Sequence, residues 1–266
     1  MSTIARLMEA AAPVFRQVCP EPMNQYVNLP RAVLSHAINI GHFATTDVII
    51  SIMTGRPLLF RYDVTYPPDI LEQSKDGRYG MQWLHGIADQ YIALLARINV
   101  LFEEFGTSIN PRYIAEIEDQ IREVATFTDR SADPLLTIWK FAVRECWKLT
   151  MYVYLHMVLC RTSTADPRVV NSVKSYVRLM ETVKPGRNPD SFLYIPMITV
   201  GASAYRKQDR AVIQRRMLGL QECIFPGSCG YDVMNMLIDL WARTEAEDRP
   251  VVWDDLRESA YRVTRV

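Results

Sequence analysis

The sequence predicts an all-α protein: one large multi-helical domain of roughly ten helices around a long buried helix. Apolar residues recur three and four positions apart through most of the chain, which places them on one face of a helix. No segment shows the sustained alternation of apolar and polar residues that marks a half-buried strand. Helix-start signals, in which Asn or Asp precedes proline, occur at Asn110-Pro111, Asp133-Pro134, Asp166-Pro167 and Asn188-Pro189.

The longest helix predicted by these patterns runs from Asp133 to Arg161. Asp133 is a good N-cap, and proline is favoured at the first helical position. The first half is amphipathic, whereas Leu149 to Cys160 contains only Thr150 and His156 as clearly polar breaks. A helix that is apolar on nearly every side is buried on nearly every side. We therefore expect this helix to lie at the centre of the domain.

The N-terminal part predicts a helix over 2–18, which Pro20 and Pro22 end. A helical stretch over 29–54 is expected to break near Gly41 and to restart at Thr46-Asp47. Residues 54–80 carry prolines, glycines and charges, and we interpret them as a loop with little regular structure. Further helices are predicted over 81–105 and 111–124.

The C-terminal part predicts a helix after Asp166-Pro167 with a regular apolar stripe to Val183. The apolar stretch after Asn188 contains Pro196 and Gly201, so a kinked or broken helix is expected there. The remaining helices are predicted over 209–225, over 231–244 and from residue 253 onwards.

Composition excludes several classes of protein. The 266 residues predict one domain, residues 1–266, with enough apolar residues for a full core. Lys plus Arg equals Asp plus Glu, and this balance argues against nucleic-acid binding by the chain itself. Five scattered cysteines indicate a reducing, intracellular compartment. No apolar run approaches the roughly 20 residues of a membrane span, so no membrane association is expected.

The residues that could bind a metal or catalyse a reaction are not spaced as such sites require. His36 and His42 are six residues apart near Asp47, so they would occupy different faces of a helix rather than hold one metal. Cys223 and Cys229 have the same spacing. The adjacent carboxylates Asp254 and Asp255 favour a helix start over a cation site. The sequence therefore predicts no catalytic residue, no metal and no cofactor.

A ligand pocket between helices is the alternative to plain core packing for the many aromatic and methionine residues. Helical spacing selects Trp147, Met151, Tyr154 and His156 on the long helix as candidate ligand-binding residues. They would face Tyr194 and Met197. His156, in its apolar surroundings, is otherwise expected to be a hydrogen-bonded core histidine, and the basic stretch from Arg206 to Arg216 is expected to be a solvated face.

Three stretches, in this order, carry a family resemblance. They are the long-helix segment from Trp147 to Cys160, which ends in YLHMVLC, the pattern P-M-x3-G-x3-Y-x3-D-R from Pro196 to Arg210, and L-W-A-R…V-W-D-D-L from Leu240 to Leu256. Over about residues 45–263 the chain resembles the fungal-specific transcription factor domain, the helical region that follows the zinc binuclear cluster in many fungal regulators. Each stretch is a degenerate helix pattern, so the specificity lies in their order and spacing.

The resemblance implies a non-enzymatic regulatory or effector domain in nuclear proteins that control transcription by RNA polymerase II. Its partners would be the transcription machinery or a regulator protein, and a small effector and a homodimer are left open. Family members typically carry an N-terminal C-x2-C-x6-C zinc cluster, whereas the only cysteine before residue 100 here is Cys19. The chain would then be a regulatory half, or a stand-alone relative without DNA binding. Nuclear location follows from the resemblance alone, and a cytoplasmic-nuclear distribution stays open.

The rival hypothesis is a stand-alone all-α protein that binds a small molecule, or an enzyme, derived from the same scaffold. The missing zinc cluster and the interior rich in aromatic residues and methionine motivate it. A cavity near Trp139, Trp147 and His156 would favour this hypothesis.

Overall fold

A computed structural model describes residues 1–75, 80–124 and 133–265. The described residues form an all-α fold, as the periodicity predicts. The α-helices in chain order are α1 Ser2–Val18, α2 Leu29–Val33, α3 Ile38–Thr54, α4 Pro68–Lys75, α5 Gln82–His85, α6 Asp89–Phe105, α7 Pro111–Glu123, α8 Pro134–Tyr154, α9 Pro167–Thr182, α10 Arg187–Asp190, α11 Tyr194–Ala202, α12 Lys207–Met217, α13 Gln221–Ile224, α14 Cys229–Ala246 and α15 Asp254–Thr264.

Short elements complete the described fold. Two 3-10 turns cover Gly106–Ser108 and Ser191–Leu193, and a π-helical turn, Leu155–Leu159, continues α8. Strands β1 Val27–Asn28 and β2 Tyr62–Asp63 form one parallel pair, with Val27 beside Tyr62. The number of helices exceeds the predicted ten or so, because helices of four or five residues leave too short a pattern to detect.

The proline-based start signals are confirmed at three of the four positions. The side chains of Asn110, Asp133 and Asp166 each accept a hydrogen bond from the backbone N–H two residues later, at 2.9, 2.8 and 2.8 Å. These bonds satisfy amide groups that the first turn of a helix leaves without partners. The fourth signal marks a kink inside α10, where Asn188 has an extended backbone, with φ of −105° and ψ of 126°, directly before Pro189.

The predicted break at Gly41 is wrong. α3 runs through Gly41 without interruption, and the chain instead breaks between Val33 and Ile38. Gly41 is buried, and a Cβ atom there would lie 3.0 Å from the carbonyl oxygen of Val33. The glycine therefore permits close contact between α3 and the end of α2, which is a packing role rather than a helix-breaking one.

The segment predicted as an irregular loop, residues 54–80, contains β2 and α4, so that prediction is wrong in part; residues 76–79 lie outside the described residues. Its start is fixed on Asp47, a fully buried carboxylate of α3. Asp47 accepts hydrogen bonds from the Leu59 amide at 3.0 Å, the Tyr62 hydroxyl at 3.0 Å and the Arg56 guanidinium at 3.2 Å. Burial raises the pKa of Asp47, and these donors oppose the rise.

Helices α7, α9 and α11 pack around α8. The N-terminal half of α8 keeps Leu135, Ile138 and Phe141 more than half exposed, whereas every residue from Val153 to Leu159 is buried. Most of the buried apolar side chains of the described residues form one core cluster that includes residues from α1 to α15. None of the described helices combines the length and the apolar character that crossing a bilayer requires.

Arg216 contradicts the prediction that the basic stretch of α12 is a solvated face. Its side chain is only 5% exposed and forms an ion pair with Asp190, which is 2% exposed. Arg216 also donates to the carbonyl oxygens of Met180 at 3.2 Å and Val183 at 2.6 Å, at the end of α9. One buried cation thus joins α12, α10 and the C-terminus of α9.

Replacement of Arg216 by Met should lower the free energy of unfolding by about 3–5 kcal/mol, because it leaves the buried Asp190 carboxylate without its cationic partner. Urea unfolding of the purified chain measures this loss. Arg215→Met is the matched control, since Arg215 is the adjacent residue and is exposed. Equal stability of the two variants would contradict a cross-linking role for Arg216.

Candidate functional site

The six residues predicted to line a ligand pocket lie on α8, its π-helical turn and α11, which pack against one another. Trp147, Met151, Tyr154 and Met197 are at most 1% exposed and belong to the core cluster. Tyr194 is half-buried at the start of α11 and lies against the core. This placement brings the two helices together as expected, and ligand binding by the six residues stays a prediction.

His156 points to a different side of α8. Its Nε2 atom lies 3.9 Å from the Glu118 carboxylate of α7, and its Nδ1 atom lies 3.8 Å from the thiol of Cys160. Burial lowers the pKa of His156 and raises the pKa of Cys160. Both shifts oppose a thiolate-imidazolium pair, so the contact lacks the charge state of an activated nucleophile.

The histidines and cysteines that the sequence analysis considered as metal ligands lie in other surroundings. His42 is exposed and its ring stacks on that of His85, with centroids 5.9 Å apart. Cys223 and Cys229 are free thiols. Within residues 1–75, 80–124 and 133–265, no group of three or more His, Cys, Asp or Glu side chains could hold a metal ion.

A small surface pocket does occur at the end of the π-helical turn. It has a volume of about 100 Å³. Its walls come from α6, from the residues that end the turn and from the segment before α15: Phe102, Met157, Val158, Arg161, Thr162, Val252, Trp253 and Asp254. None of the six predicted residues lines this pocket, although Tyr154 lies directly behind it.

The π-helical turn explains how α8 presents this wall. The amide of Cys160 donates to the carbonyl oxygen of Leu155, five residues earlier, at 3.2 Å. Single π turns inside α-helices are rare and are frequent at functional sites. The amide and hydroxyl of Thr162 then donate to the carbonyl oxygen of His156, at 3.2 and 2.9 Å, and end the helix.

Arg161 stands at this helix end with a φ of 50°, in the left-handed region that favours glycine. Its guanidinium lies over the ring of Phe102, 5.3 Å from the ring centre, and 3.4 Å from the Asp254 carboxylate. The arginine side chain is 40% exposed and that of Asp254 is 66% exposed. An exposed cation and an exposed anion therefore lie side by side at the pocket.

The ring of Trp253, which lines the pocket, packs against the buried ring of Tyr154. The two rings meet edge to face, with centroids 5.1 Å apart. The Tyr154 hydroxyl donates to Asn99 of α6, and the Asn99 amide donates to the Ser51 hydroxyl of α3 at 3.0 Å. This buried chain of hydrogen bonds connects the pocket wall to α6 and α3.

The segment before α15 is fixed by Asp255, which is buried rather than merely a charge at a helix start. Its carboxylate accepts hydrogen bonds from Arg249 at 2.6 Å, Arg243 at 3.0 Å and the Val252 amide at 2.8 Å. Burial alone would raise the pKa of Asp255, but Arg249, the Val252 amide and Arg243 outweigh it and lower the pKa to about 2. Asp255 therefore clamps the residues that line the pocket.

Sequence reasoning missed the pocket because its parts come from distant segments. Arg161 was predicted as the last residue of the long helix, and its positive φ leaves no sequence signal in a residue other than glycine. The sequence Trp253-Asp254-Asp255 was the one local indication of a pocket, but we interpreted its two carboxylates as the start of a helix. The burial of Asp255 and the position of Arg161 become visible only when the segments are packed together.

Trp147 is expected to carry a large share of the packing of α8, because its side chain is 1% exposed. Trp147→Ala should lower the free energy of unfolding by about 3–5 kcal/mol through cavity formation. Thermal unfolding measures the loss, and Trp83→Ala, at a site that is 63% exposed, is the control. An unchanged melting temperature together with an altered ligand response would mark Trp147 as a binding residue instead.

Asp255→Asn should remove a pH-dependent part of the stability. The pKa of about 2 lies below that of an unfolded aspartate, so the carboxylate stabilises the fold fully above about pH 5 and progressively less as the pH falls towards 2. The stabilisation is about 2 kcal/mol at neutral pH. Urea unfolding of both proteins at neutral and acidic pH should show a difference that narrows with acid, and a constant difference would refute the clamp.

Comparison with known proteins places the whole fold in one family. The model of the family described as fungal specific transcription factor domain matches residues 8–264. No curated protein and no solved structure matches the chain. The family match spans α1 to α15 and confirms the resemblance that the ordered sequence stretches indicate. The chain therefore belongs to the family of fungal specific transcription factor domains.

Proposed function

We propose that this chain is the non-enzymatic regulatory part of a fungal regulator of transcription by RNA polymerase II, and that it acts in the nucleus. The family match over residues 8–264 carries the proposal, since the family is regulatory. The chain would act through the transcription machinery or a regulator protein and respond to a small effector. Its fold would serve as one domain, residues 1–266, and a homodimer is left open.

The distribution of charge supports an effector role without direct nucleic-acid binding. The chain has no net charge, whereas binding to phosphates needs unpaired cations. In the most basic stretch, Arg206 donates to both oxygens of Asp209 at 2.8 and 2.7 Å, and Lys207 pairs with Glu245. Arg216 is buried on Asp190. These cations are engaged within the fold, so DNA would be bound by another segment or another protein.

The proposal predicts that the chain changes transcription when it is brought to a promoter. Fused to an unrelated DNA-binding domain in a fungal host, it should raise or lower expression of a reporter relative to that DNA-binding domain alone. Arg216→Met should weaken the effect by lowering the stability of the domain, whereas Arg215→Met, at an exposed position, should preserve it.

A fluorescent tag on the same fusions reports their abundance and nuclear location. A reporter that stays at the control level, while the fusion is folded, abundant and nuclear, would overturn the proposal. That outcome would favour the stand-alone small-molecule protein as the alternative function.

A further inference from the structure

Opposite charges flank the pocket at the end of α8. Arg161 and Asp254 touch through a single contact of 3.4 Å, and both side chains are substantially exposed. An exposed pair of this kind contributes little to stability, so a ligand can separate its members at small cost. Four of the five N–H donors of the Arg161 guanidinium take no part in the Asp254 contact. The guanidinium can therefore bind the carboxylate of a ligand as well.

The wall between the two charges is mixed. Phe102, Met157, Val158 and Trp253 contribute apolar side chains to it, and Thr162 contributes a polar one. The volume of about 100 Å³ is smaller than the roughly 150 Å³ of a cavity that holds benzene. The pocket therefore suits an aliphatic side chain of about four carbons rather than a fused ring system.

The backbone of Arg161 is a further reason to assign a ligand here. Glycine is the usual residue in the left-handed conformation at a helix end, and a side chain at this position costs conformational energy. A residue held in a disfavoured conformation commonly marks a functional site. Here it aims a guanidinium at the rim of the pocket, stacked on Phe102.

We propose that this pocket binds a free α-amino acid with an aliphatic side chain of leucine size. The ligand carboxylate would pair with Arg161, its ammonium with Asp254, and its side chain would enter the pocket. A simple anion would meet Asp254 and a simple cation would meet Arg161, so only a zwitterion satisfies both charges. The inference rests on the proposed function in one respect, since it identifies the small effector of the regulatory domain.

Ligand-observed NMR titration of the purified chain with L-leucine tests the proposal. Binding with a dissociation constant on the order of 1 mM is expected for a ligand of this size. Arg161→Gly should weaken binding at least about tenfold, the loss of one charged contact. It should retain or raise the melting temperature, because glycine suits the left-handed backbone. Asp254→Asn should also weaken binding.

Arg265→Gly is the matched control, since Arg265 also has a positive φ, of 63°, and its guanidinium lies over Tyr261, outside the pocket wall. It should bind L-leucine as the unaltered chain does. N-acetyl-L-leucine, which lacks the ammonium, and L-leucinamide, which lacks the carboxylate, should both bind more weakly than L-leucine.

The proposal is overturned if L-leucine fails to bind, or if it binds equally to Arg161→Gly. It is also overturned if N-acetyl-L-leucine binds as well as L-leucine and Asp254→Asn strengthens that binding, which would make the pocket a site for simple anions. These outcomes do not depend on the reporter. Binding with a silent reporter would refute the transcriptional function alone, and an active reporter without binding would refute the amino-acid site alone.

Discussion

The segment from Val153 to Leu159 is buried on every side, and the rest of the molecule is arranged around that constraint. A helix without a solvent face must satisfy its polar groups inside the protein. Tyr154 does so through Asn99 and Ser51, which ties α8 to α6 and α3. The helix continues into the π turn Leu155–Leu159 and ends there. Arg161 follows with a positive φ, and its side chain lies at the surface near Trp253. The pocket is the direct product of how this buried helix ends.

Buried charges hold together the segments that the apolar core does not position. Arg216 joins α12 to the end of α9, Asp47 fixes the chain that follows α3, and Asp255 clamps the start of α15. Ion pairs of this kind add little stability compared with apolar packing, but removal of one partner is costly. They specify which segments meet. In this protein they also occupy cations that would otherwise form a basic surface.

The sequence was sufficient for features that depend on local chemistry. Helical periodicity predicted the all-α fold, and three of the four Asn-Pro and Asp-Pro signals marked true N-caps, because both follow from neighbours within one turn. Features that depend on packing were missed. Gly41 appears as a helix breaker unless the backbone of Val33 is known to lie against it. Arg216 lies three residues after Ile213 on the inward stripe of α12, and that spacing was the one local signal of its burial.

The candidate site shows the same division. Aromatic spacing on α8 selected residues that the fold places in the core, while the pocket combines Phe102, Arg161 and Asp254 from three distant segments. No local pattern links these residues, and an arginine with positive φ cannot be recognised from its neighbours. The ordered stretches of the family resemblance identified the family of the whole chain, but they did not identify the pocket.

A crystal of the chain soaked with L-leucine would show whether the end of α8 is a ligand site. We expect the Arg161–Asp254 contact to open, with the ligand carboxylate on Arg161, its ammonium on Asp254 and its side chain against Phe102 and Trp253. An intact ion pair with an empty pocket, in crystals that admit the ligand, would contradict it.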